Sequence, residues 1–360
     1  SPYDVLDHLS ARPLTKLVQR QASFTEVARL KMGGMSDMLA RLYASRGITS
    51  PTDVKGTYAD LLPIDSMKGV RAMASYLADC RDSGKRVLIV SDYDCDGATA
   101  CSILVMAFGA IGLNYDYLVP DRQIHGYGLT PAIVEEAAQL KDKPDVIITV
   151  DNGISSHAGI DRAKELGIDV LVTDHHLAPD VLPDARIIVN PNQAGCNFES
   201  KNIAGCGVAW YVARALVEEL TRRGSDPEFD PAELLSYVAI GTVADVVKLD
   251  TNNRIMVALG LEYIRSGQCA PGIPALAKVS GKNHETLSCS DIGFGIGPRI
   301  NAAGRLAHMG AGIECLTCLD LDMADQLAAQ LHVTNEERKE IQVSIVTQAA
   351  DQAIPMLASA

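Results

Sequence analysis

The chain lacks any long, uncharged apolar run. No stretch of it is long and apolar enough to cross a bilayer as a helix. Its first residues, SPYDVLDHLSARPLTKL, contain no apolar core of the kind that secretory signals need. These absences exclude a membrane partner and predict a protein of the cytoplasm.

Paired cysteines are also missing from the sequence. The nine cysteines are scattered and odd in number, which argues against a secreted disulfide framework and fits a reducing compartment. One C-x-x-C, formed by Cys315 and Cys318, lies in an apparent helix. A zinc site would need a second such pair, so we do not expect a metal there.

Aromatic residues make up only 5% of the chain, whereas glycine occurs 29 times in 360 residues. This mix favours an α/β enzyme, with many tight turns between strands and helices, over an all-β sandwich. The length exceeds that of one compact domain of ordinary size. We therefore expect two domains, or one large domain with extensions.

Positive charge is in short supply, because 32 basic residues face 45 acidic ones and the net charge is −13. A general nucleic-acid binder usually shows a basic footprint, so this balance argues against one. However, carboxylates that bind metal count as negative until their cations are present. A nucleic-acid groove also needs only a local basic patch, so a metal-dependent enzyme acting on nucleic acid stays open.

Strand-like and helix-like segments alternate between residues 86 and 190. The strand-like runs are nearly continuous in Val, Ile and Leu, which is typical of strands buried on both faces. They are RVLIVSD, YDYLVP, DVIITVD, DVLVTD and ARIIVN. The alternation predicts an α/β fold with a largely parallel sheet and helices on both of its faces.

The remainder of the sequence reads as mainly helical. We predict a helical N-terminal extension over residues 1–80 and the sheet-containing domain over 81–270. A glycine-rich segment over 271–320 would complete that domain, and a long connector helix would occupy 321–360. This last helix has no clear stop signal, so we expect it to lead to a domain that is absent here.

Carboxylates and imidazoles stand where three of the predicted strands end. They are Asp92, Asp94 and Asp96 after the first strand, Asp151 after the third, and Asp174, His175 and His176 after the fourth. Ligands bind outside the carboxyl ends of the strands in an open parallel sheet, so these side chains should converge. Bare carboxylates would repel one another there, and bound cations would relieve the repulsion. Carboxylates with one or two imidazoles suit two divalent cations, Mn²⁺ or Mg²⁺.

Structural explanations compete with this interpretation. The first acidic cluster could be a solvated turn with helix-capping aspartates, and Ser155 and Ser156 are better explained as N-caps than as nucleophiles. Asp245 sits in the otherwise apolar run IGTVADVVKLD. A buried, isolated acid is costly unless it is paired or metal-bound, but an aspartate on an exposed polar face would need no partner.

Six ordered motifs resemble those of one family. DYDCDGAT, VDNGISS, TDHH and GTVADVVKLD resemble the four motifs of the DHH phosphoesterases. HGYGL (125–129) and GPRINAAGRL (297–306) narrow the resemblance to the RecJ single-strand-specific exonucleases, over about residues 35–345. The resemblance implies a 5′-to-3′ exonuclease of recombination and repair. It would hydrolyse single-stranded DNA to 5′-mononucleotides at a binuclear Mn²⁺ or Mg²⁺ centre.

The resemblance also implies roles for individual residues. The family's metal-ligand positions are matched by Asp94, Asp96, Asp151, His175 and Asp245, with Asp151 as the bridging carboxylate. Asp92 stands near a position that is histidine in some relatives, and it is included in the expected metal set. His176 is expected to contact the phosphate, and Asp174 to orient the histidines, so both are counted as catalytic.

A substrate-binding set follows from the same resemblance. Arg122 matches a position that binds the 5′ phosphate in relatives, and Tyr127 could stack on a base. Arg299, Asn301 and Arg305 are expected to contact the following phosphates. The bland explanations are a surface arginine at position 122 and a packing tyrosine at position 127.

The motifs leave room for functions besides that of an exonuclease. DCDGAT is similar to the loop of haloacid-dehalogenase-like phosphatases, although the DHH element counts against them. A small-molecule or oligonucleotide DHH phosphoesterase and a non-catalytic DHH scaffold of replication also compete with the exonuclease. The expected partners are single-stranded DNA, a single-stranded-DNA-binding protein and a helicase. The DHH-associated and OB-like domains of the family are not recognisable, so this core would cleave DNA weakly or not at all.

Overall fold

The computed structural model of the protein describes residues 58–306 and 309–358. The predicted N-terminal extension therefore lies largely outside the described residues, and the domain boundaries stay predictions. The strands are β1 (Val87–Ser91), β2 (Tyr115–Leu118), β3 (Val146–Val150), β4 (Asp169–Thr173) and β5 (Ile187–Val189).

Helices make up most of the remaining described chain. The α-helices are α1 (Val70–Ser83), α2 (Cys95–Ile111), α3 (Arg122–His125), α4 (Pro131–Ala138), α5 (His157–Glu165), α6 (Gly205–Arg222), α7 (Leu235–Ala244), α8 (Thr251–Arg265), α9 (Gly272–Val279), α10 (Cys289–Asp291), α11 (Gly297–Ala302), α12 (Ala311–Thr317) and α13 (Leu321–Ala358). Shorter 3₁₀ turns cover Ile64–Ser66, Pro231–Leu234, His284–Thr286 and Ala303–Arg305, and a π-helix covers Ile292–Ile296.

The five strands form one sheet in the order β2-β1-β3-β4-β5, and every neighbouring pair is parallel. β1 and β3, in the middle, are buried at every position. Burial on both faces explains why these segments read as continuous apolar runs instead of alternating ones. The predicted α/β fold with a parallel sheet is confirmed.

Helices cover both faces of the sheet, as predicted. Side chains on β1 alternate between the two sides: Val87 and Ile89 join the larger core, whereas Leu88 and Val90 join the smaller one. The larger core is built with α1, α2, α6 and α7, and the smaller core with α4 and α5. The sheet is therefore the middle layer of three.

The most glycine-rich part of the 271–320 segment, residues 293–305, is helical. It follows α10 and runs through the π-helix, α11 and the 3₁₀ turn Ala303–Arg305. The π-helix packs against α7, and α11 packs against α13. These residues therefore pack as helices against α7 and α13 instead of forming an open loop.

The C-terminal part of the described chain is one long helix, α13, preceded by the short helix α12. α13 spans 38 residues. The preceding α12 ends at Thr317, so Cys318 follows the helix, whereas the sequence suggested that both Cys315 and Cys318 lie within it. None of the described helices is long and apolar enough to span a membrane.

Close packing in the smaller core predicts a sensitive position in α5. A Cβ atom on Gly159 would lie 1.8 Å from the carbonyl oxygen of Leu129, so the helix would have to move away from the preceding loop. Gly159→Ala should lower the free energy of unfolding by about 1–3 kcal/mol, the usual cost of overpacking. Urea denaturation monitored by circular dichroism measures this change.

Gly281→Ala is the matched control for this experiment. Gly281 has a φ of +75° and no atom within 4 Å of the added Cβ, so its substitution tests backbone strain without crowding. If Gly159→Ala cost no more than Gly281→Ala, steric contact with Leu129 would not be the limiting constraint.

Candidate metal centre

The sheet register places three aspartates on one row. Ser91 at the end of β1 pairs with Val150 at the end of β3, and the pairing of β3 with β4 continues at the same level. The residues that directly follow these strands are Asp92, Asp151 and Asp174. Because the strands are parallel and end level, all three carboxylates start from the same edge of the sheet.

Asp94 and Asp96 belong to the turn that leads from β1 into α2. Asp94 is the N-cap of α2, and its Oδ1 accepts a hydrogen bond of 2.8 Å from the backbone N–H of Gly97. Asp96 is only 1% exposed. Its two oxygens accept hydrogen bonds of 2.8 Å each from the backbone N–H groups of Gly205 and Cys206, at the start of α6. Helix capping is therefore part of the role of these acids, in agreement with the structural explanation of the cluster.

Asp151 occupies an unusual backbone conformation and has no hydrogen-bond partner for its carboxylate. Its φ is +59°, in the left-handed region that few residues other than glycine, asparagine and aspartate adopt. The side chain is 1% exposed, and among the described residues neither carboxylate oxygen makes a hydrogen bond. Asn152 fixes the turn, since its Nδ2 donates to the carbonyl oxygens of Val90 and Val150.

His175 brings its ring nitrogen into the same space. Its Nε2 lies 2.8 Å from Oδ1 of Asp151, 3.4 Å from Oδ2 of Asp96 and 3.8 Å from Oδ2 of Asp245. Despite the short distance to Asp151, no described atom is placed to form a hydrogen bond with this buried nitrogen. One imidazole nitrogen therefore stands among three carboxylates that come from three separate parts of the chain.

The donor set fits divalent cations. Three groups of side chains each have ligand atoms within 4.8 Å of one another, and Asp151 and His175 each belong to two of the three groups. The groups are Asp151, Asp174, His175 and His176; Asp96, His175 and Asp245; and Asp92, Asp94 and Asp151. Buried oxygens without hydrogen bonds, together with an unpaired imidazole nitrogen, are the ligands that Mn²⁺ or Mg²⁺ would satisfy. In the described part of the chain, Cys315 and Cys318 belong to no such group.

Mutual repulsion and burial shift the titration of these acids. Burial, followed by the charge of Asp94, raises the pKa of Asp92 to about 7. Burial and the charges of Asp96 and Asp94 likewise raise the pKa of Asp245 to about 7. The pKa values of Asp94 and Asp151 are also raised, in both cases by burial first and by the charge of Asp96 second. Without cations, the centre therefore tends to take up protons.

Asp174 and His176 form a separate, mutually stabilising pair. Nδ1 of His176 donates to Oδ1 of Asp174 at 2.6 Å, and the backbone N–H of Ile154 donates to the other oxygen at 3.0 Å. Burial would raise the pKa of Asp174, but the hydrogen bond and charge of His176 outweigh it, and the pKa is lowered. The hydrogen bond to Asp174 raises the pKa of His176 to about 9. His176 is therefore a positively charged, fixed donor at neutral pH.

Of the two residues predicted to contact the 5′ end, Tyr127 lies beside His176, and Arg122 contacts Tyr93. Tyr127 is 53% exposed, and its ring meets the ring of His176 edge-on at 6.4 Å between centroids. Arg122 is exposed, and its Nη1 donates to the hydroxyl of Tyr93 at 2.9 Å. A cavity of about 350 Å³ opens beside Tyr127 and His176.

The predicted phosphate contacts of the glycine-rich segment are placed differently. Arg299 is 6% exposed, and its guanidinium donates to Nδ1 of His332 and to the carbonyl oxygen of Gly295. Oδ1 of Asn301 accepts from the backbone N–H of Cys95 at 2.8 Å, directly between Asp94 and Asp96. The side chain of Arg305 lies outside the described part. The structure thus brings Asn301 to the metal-binding turn and ties Arg299 to α13.

Sequence reasoning did not identify three supports of the centre. They are the backbone N–H groups of Gly205 and Cys206, the side chain of Asn152, and the contact between Asn301 and Cys95. Asn152 had a visible signal, because asparagine follows the strand-end aspartate directly. The contact of α6 has no side-chain signal at all, since both donors are backbone groups.

Comparison with known proteins identifies relatives of this chain. The family model for the DHH family, N-terminal domain, matches residues 86–242. The single-stranded-DNA-specific exonuclease RecJ of Salmonella typhimurium is 45% identical over 340 residues, covering 92% of this chain and 58% of that protein. The protein of the same name from Thermus thermophilus is 33% identical, with 88% of this chain and 44% of that protein covered. The chain thus spans about half the length of these curated relatives.

Solved structures of exonuclease RecJ are also similar to this chain. A crystal structure of exonuclease RecJ bound to manganese matches with a TM-score of 0.72 and 33% identity, covering 81% of this chain and 71% of that one. RecJ in complex with Mn²⁺ from Thermus thermophilus matches with a TM-score of 0.67 and 32% identity, covering 81% and 41% respectively.

The raised pKa values predict how the stability of the metal-free protein depends on pH. The carboxyl pKa values of Asp92 and Asp245 are about 7 in the folded chain and roughly 4 in the unfolded chain. The folded state therefore binds more protons in this range, so the free energy of unfolding should rise as the pH falls from about 8 to about 5. Urea denaturation in EDTA across this range measures the effect.

Excess Mn²⁺ should reverse that slope, because metal ligands must be deprotonated and metal affinity therefore increases with pH. Asp245→Asn provides the control, since removing one of the raised carboxyls should flatten the metal-free profile. A metal-free protein whose stability fell steadily from pH 8 to pH 5 would contradict the assignment.

Proposed function

The chain belongs to the RecJ branch of the DHH family, and on this premise we propose that it is the catalytic core of a two-metal 5′-to-3′ exonuclease. Its substrate would be single-stranded DNA, and its products 5′-mononucleotides. The observation that carries the proposal is the convergence of Asp96, Asp151, His175 and Asp245, in which both carboxylate oxygens of Asp151 and Nε2 of His175 have no hydrogen bond within the described part of the chain.

We assign the cations to the residues that converge at the sheet edge. The metal ligands would be Asp92, Asp94, Asp96, Asp151, His175 and Asp245. Asp151 suits the bridging position because it belongs to two of the three ligand groups and both of its oxygens lack hydrogen bonds. When bound, two such cations supply Lewis acidity, which activates a water molecule and neutralises charge on the phosphate.

His176 would contact the phosphate, and Asp174 would hold His176 in place. Asp174 holds the Nδ1–H of His176, so the ring orientation is fixed and the positive charge is retained at neutral pH. The opposite edge of the ring then presents Nε2–H, a donor suited to a phosphate oxygen or to the leaving 3′ oxygen. Asp174 is expected to orient this group without contacting the substrate itself.

Arg122 and Tyr127 are proposed as the contacts that select the 5′ end of a single strand, and Arg299, Asn301 and Arg305 as contacts to the following phosphates. An arginine suits the 5′ phosphate, and the exposed ring of Tyr127 beside the cavity suits a stacked base. Asn301 could donate its amide to a phosphate while its oxygen holds Cys95. For Arg299 the proposal is weaker, because its guanidinium is buried against His332 and Gly295.

We also propose roles for the protein in its cell. A cytoplasmic enzyme of recombination and repair would meet single-stranded DNA together with a single-stranded-DNA-binding protein and a helicase. A non-catalytic scaffold is less well supported, because the full expected ligand set is present and converges. A small-molecule phosphoesterase would prefer dinucleotides over a long 5′-phosphorylated strand, and this comparison distinguishes the two enzymes.

Removal of the bridging carboxylate should abolish cleavage. Asp151→Ala is expected to reduce release of mononucleotides from 5′-labelled single-stranded DNA, with Mn²⁺ or Mg²⁺, to background. Single strands labelled at the 3′ end and duplex DNA test polarity and strand preference in the same assay. Asp161→Ala, an exposed acid on α5, is the control and should cleave normally. Full activity of Asp151→Ala would refute the metal assignment.

Loss of the exposed ring should weaken substrate binding without changing the chemistry. Tyr127→Ala should raise KM for single-stranded DNA by about 5- to 150-fold, the equivalent of roughly 1–3 kcal/mol for one stacked base. Tyr127→Phe should retain most of the affinity. Ile124→Ala, which removes another exposed apolar side chain nearby in sequence, serves as control. If KM were unchanged in Tyr127→Ala, the ring would not bind a base and its role would be packing alone.

A further inference from the structure

The N-terminus of α6 is capped by a residue from a distant part of the chain. Its own N-cap residue, Ala204, has no side chain that could accept a hydrogen bond. Instead, Oδ2 of Asp96 accepts from the N–H of Gly205, and Oδ1 accepts from the N–H of Cys206. These sequence separations are 109 and 110 residues. A carboxylate at this position also interacts favourably with the positive end of the helix.

Gly205 touches a second acid of the metal centre. A Cβ atom on Gly205 would lie 2.8 Å from both Cβ and Oδ1 of Asp151, and 3.0 Å from its Cγ. Such distances are shorter than real Cβ contacts, so either Asp151 or the start of α6 would have to move. Asp151 has little freedom to move, because Asn152 ties the same turn to β1 and β3.

We propose that Gly205 is a positioning residue of the metal centre, which sets the separation of Asp96 and Asp151. Its N–H fixes one carboxylate, and its missing side chain lets the other approach the helix backbone. A larger residue at this position would force Asp151 away from the start of α6 and so separate the two acids. The inference rests on the proposed metal centre for its functional consequence, whereas the capping of α6 by Asp96 stands independently of any metal.

The chain offers a close control for Gly205, two residues further along α6. A Cβ on Gly207 would also be crowded, at 2.6 Å from Cγ1 and 2.9 Å from Cδ1 of Ile203. These atoms belong to the buried side chain of Ile203, which supplies no ligand to the metal centre. Gly205→Ala and Gly207→Ala thus introduce the same atom into the same buried helix, but only the first disturbs an acid of the site.

Titration calorimetry with MnCl₂, on protein that circular dichroism shows to be folded, tests the proposal. Gly205→Ala should weaken Mn²⁺ binding by about 10- to 100-fold, the range typical of losing a group that orients metal ligands, or should lose one of the bound equivalents. Gly207→Ala should bind like the unaltered protein. Unchanged binding by Gly205→Ala, or an equal loss in Gly207→Ala, would overturn the proposal.

A metal-free measurement keeps the proposal testable if Gly205→Ala does not fold. Asp96→Asn replaces one acceptor oxygen with an NH₂ that would face a backbone N–H of α6. Its urea midpoint in EDTA should therefore lie below that of Asp245→Asn, which also removes one charge from the cluster but caps no helix. A midpoint of Asp96→Asn equal to or above that of Asp245→Asn would disprove the capping role. Failure of the unaltered protein to bind Mn²⁺ would instead count against the proposed function.

Discussion

Repulsion among buried carboxylates is the constraint on which the rest of this structure depends. Asp96, Asp151 and Asp245 surround the Nε2 atom of His175 within 3.8 Å, and Asp92 and Asp94 approach Asp151 from the turn after β1. In a low-dielectric interior such charges repel strongly and lose their hydration. The fold compensates locally with helix N-termini: α2 begins at Asp94, and α6 begins against Asp96. Asp151 receives no such compensation, and so it is the acid that most needs a cation.

The parallel sheet is what makes this concentration of charge possible. Strands that run in one direction and end level place the first residue after each strand on a shared edge. The ends of two helices supply the remaining groups of the centre, since Asp245 lies just after α7 and Gly205 begins α6. Because every contributor is anchored to a buried element, the separation of the ligands is fixed before any ion binds.

Much of the fold and of the candidate metal centre could be predicted from the sequence, because the signals lie in short contiguous stretches of residues. A strand that ends in Asp92 or Asp151 is visible in the order of the residues, and parallel topology then implies convergence. The prediction for Arg299 did not anticipate its burial against His332, because that contact joins residues 33 positions apart on two helices whose packing no motif specifies. The N–H groups that hold Asp96 were invisible for a different reason, since backbone donors leave no trace in residue identity.

The left-handed backbone at Asp151 has a consequence for reading other members of the family. Glycine and asparagine adopt this conformation readily, whereas a β-branched residue does not. A relative with asparagine or glycine at this position would therefore keep the turn while losing the charge. Such a substitution is the route by which a chain of this fold could give up hydrolysis during evolution and persist as a stable, catalytically silent part of a larger assembly.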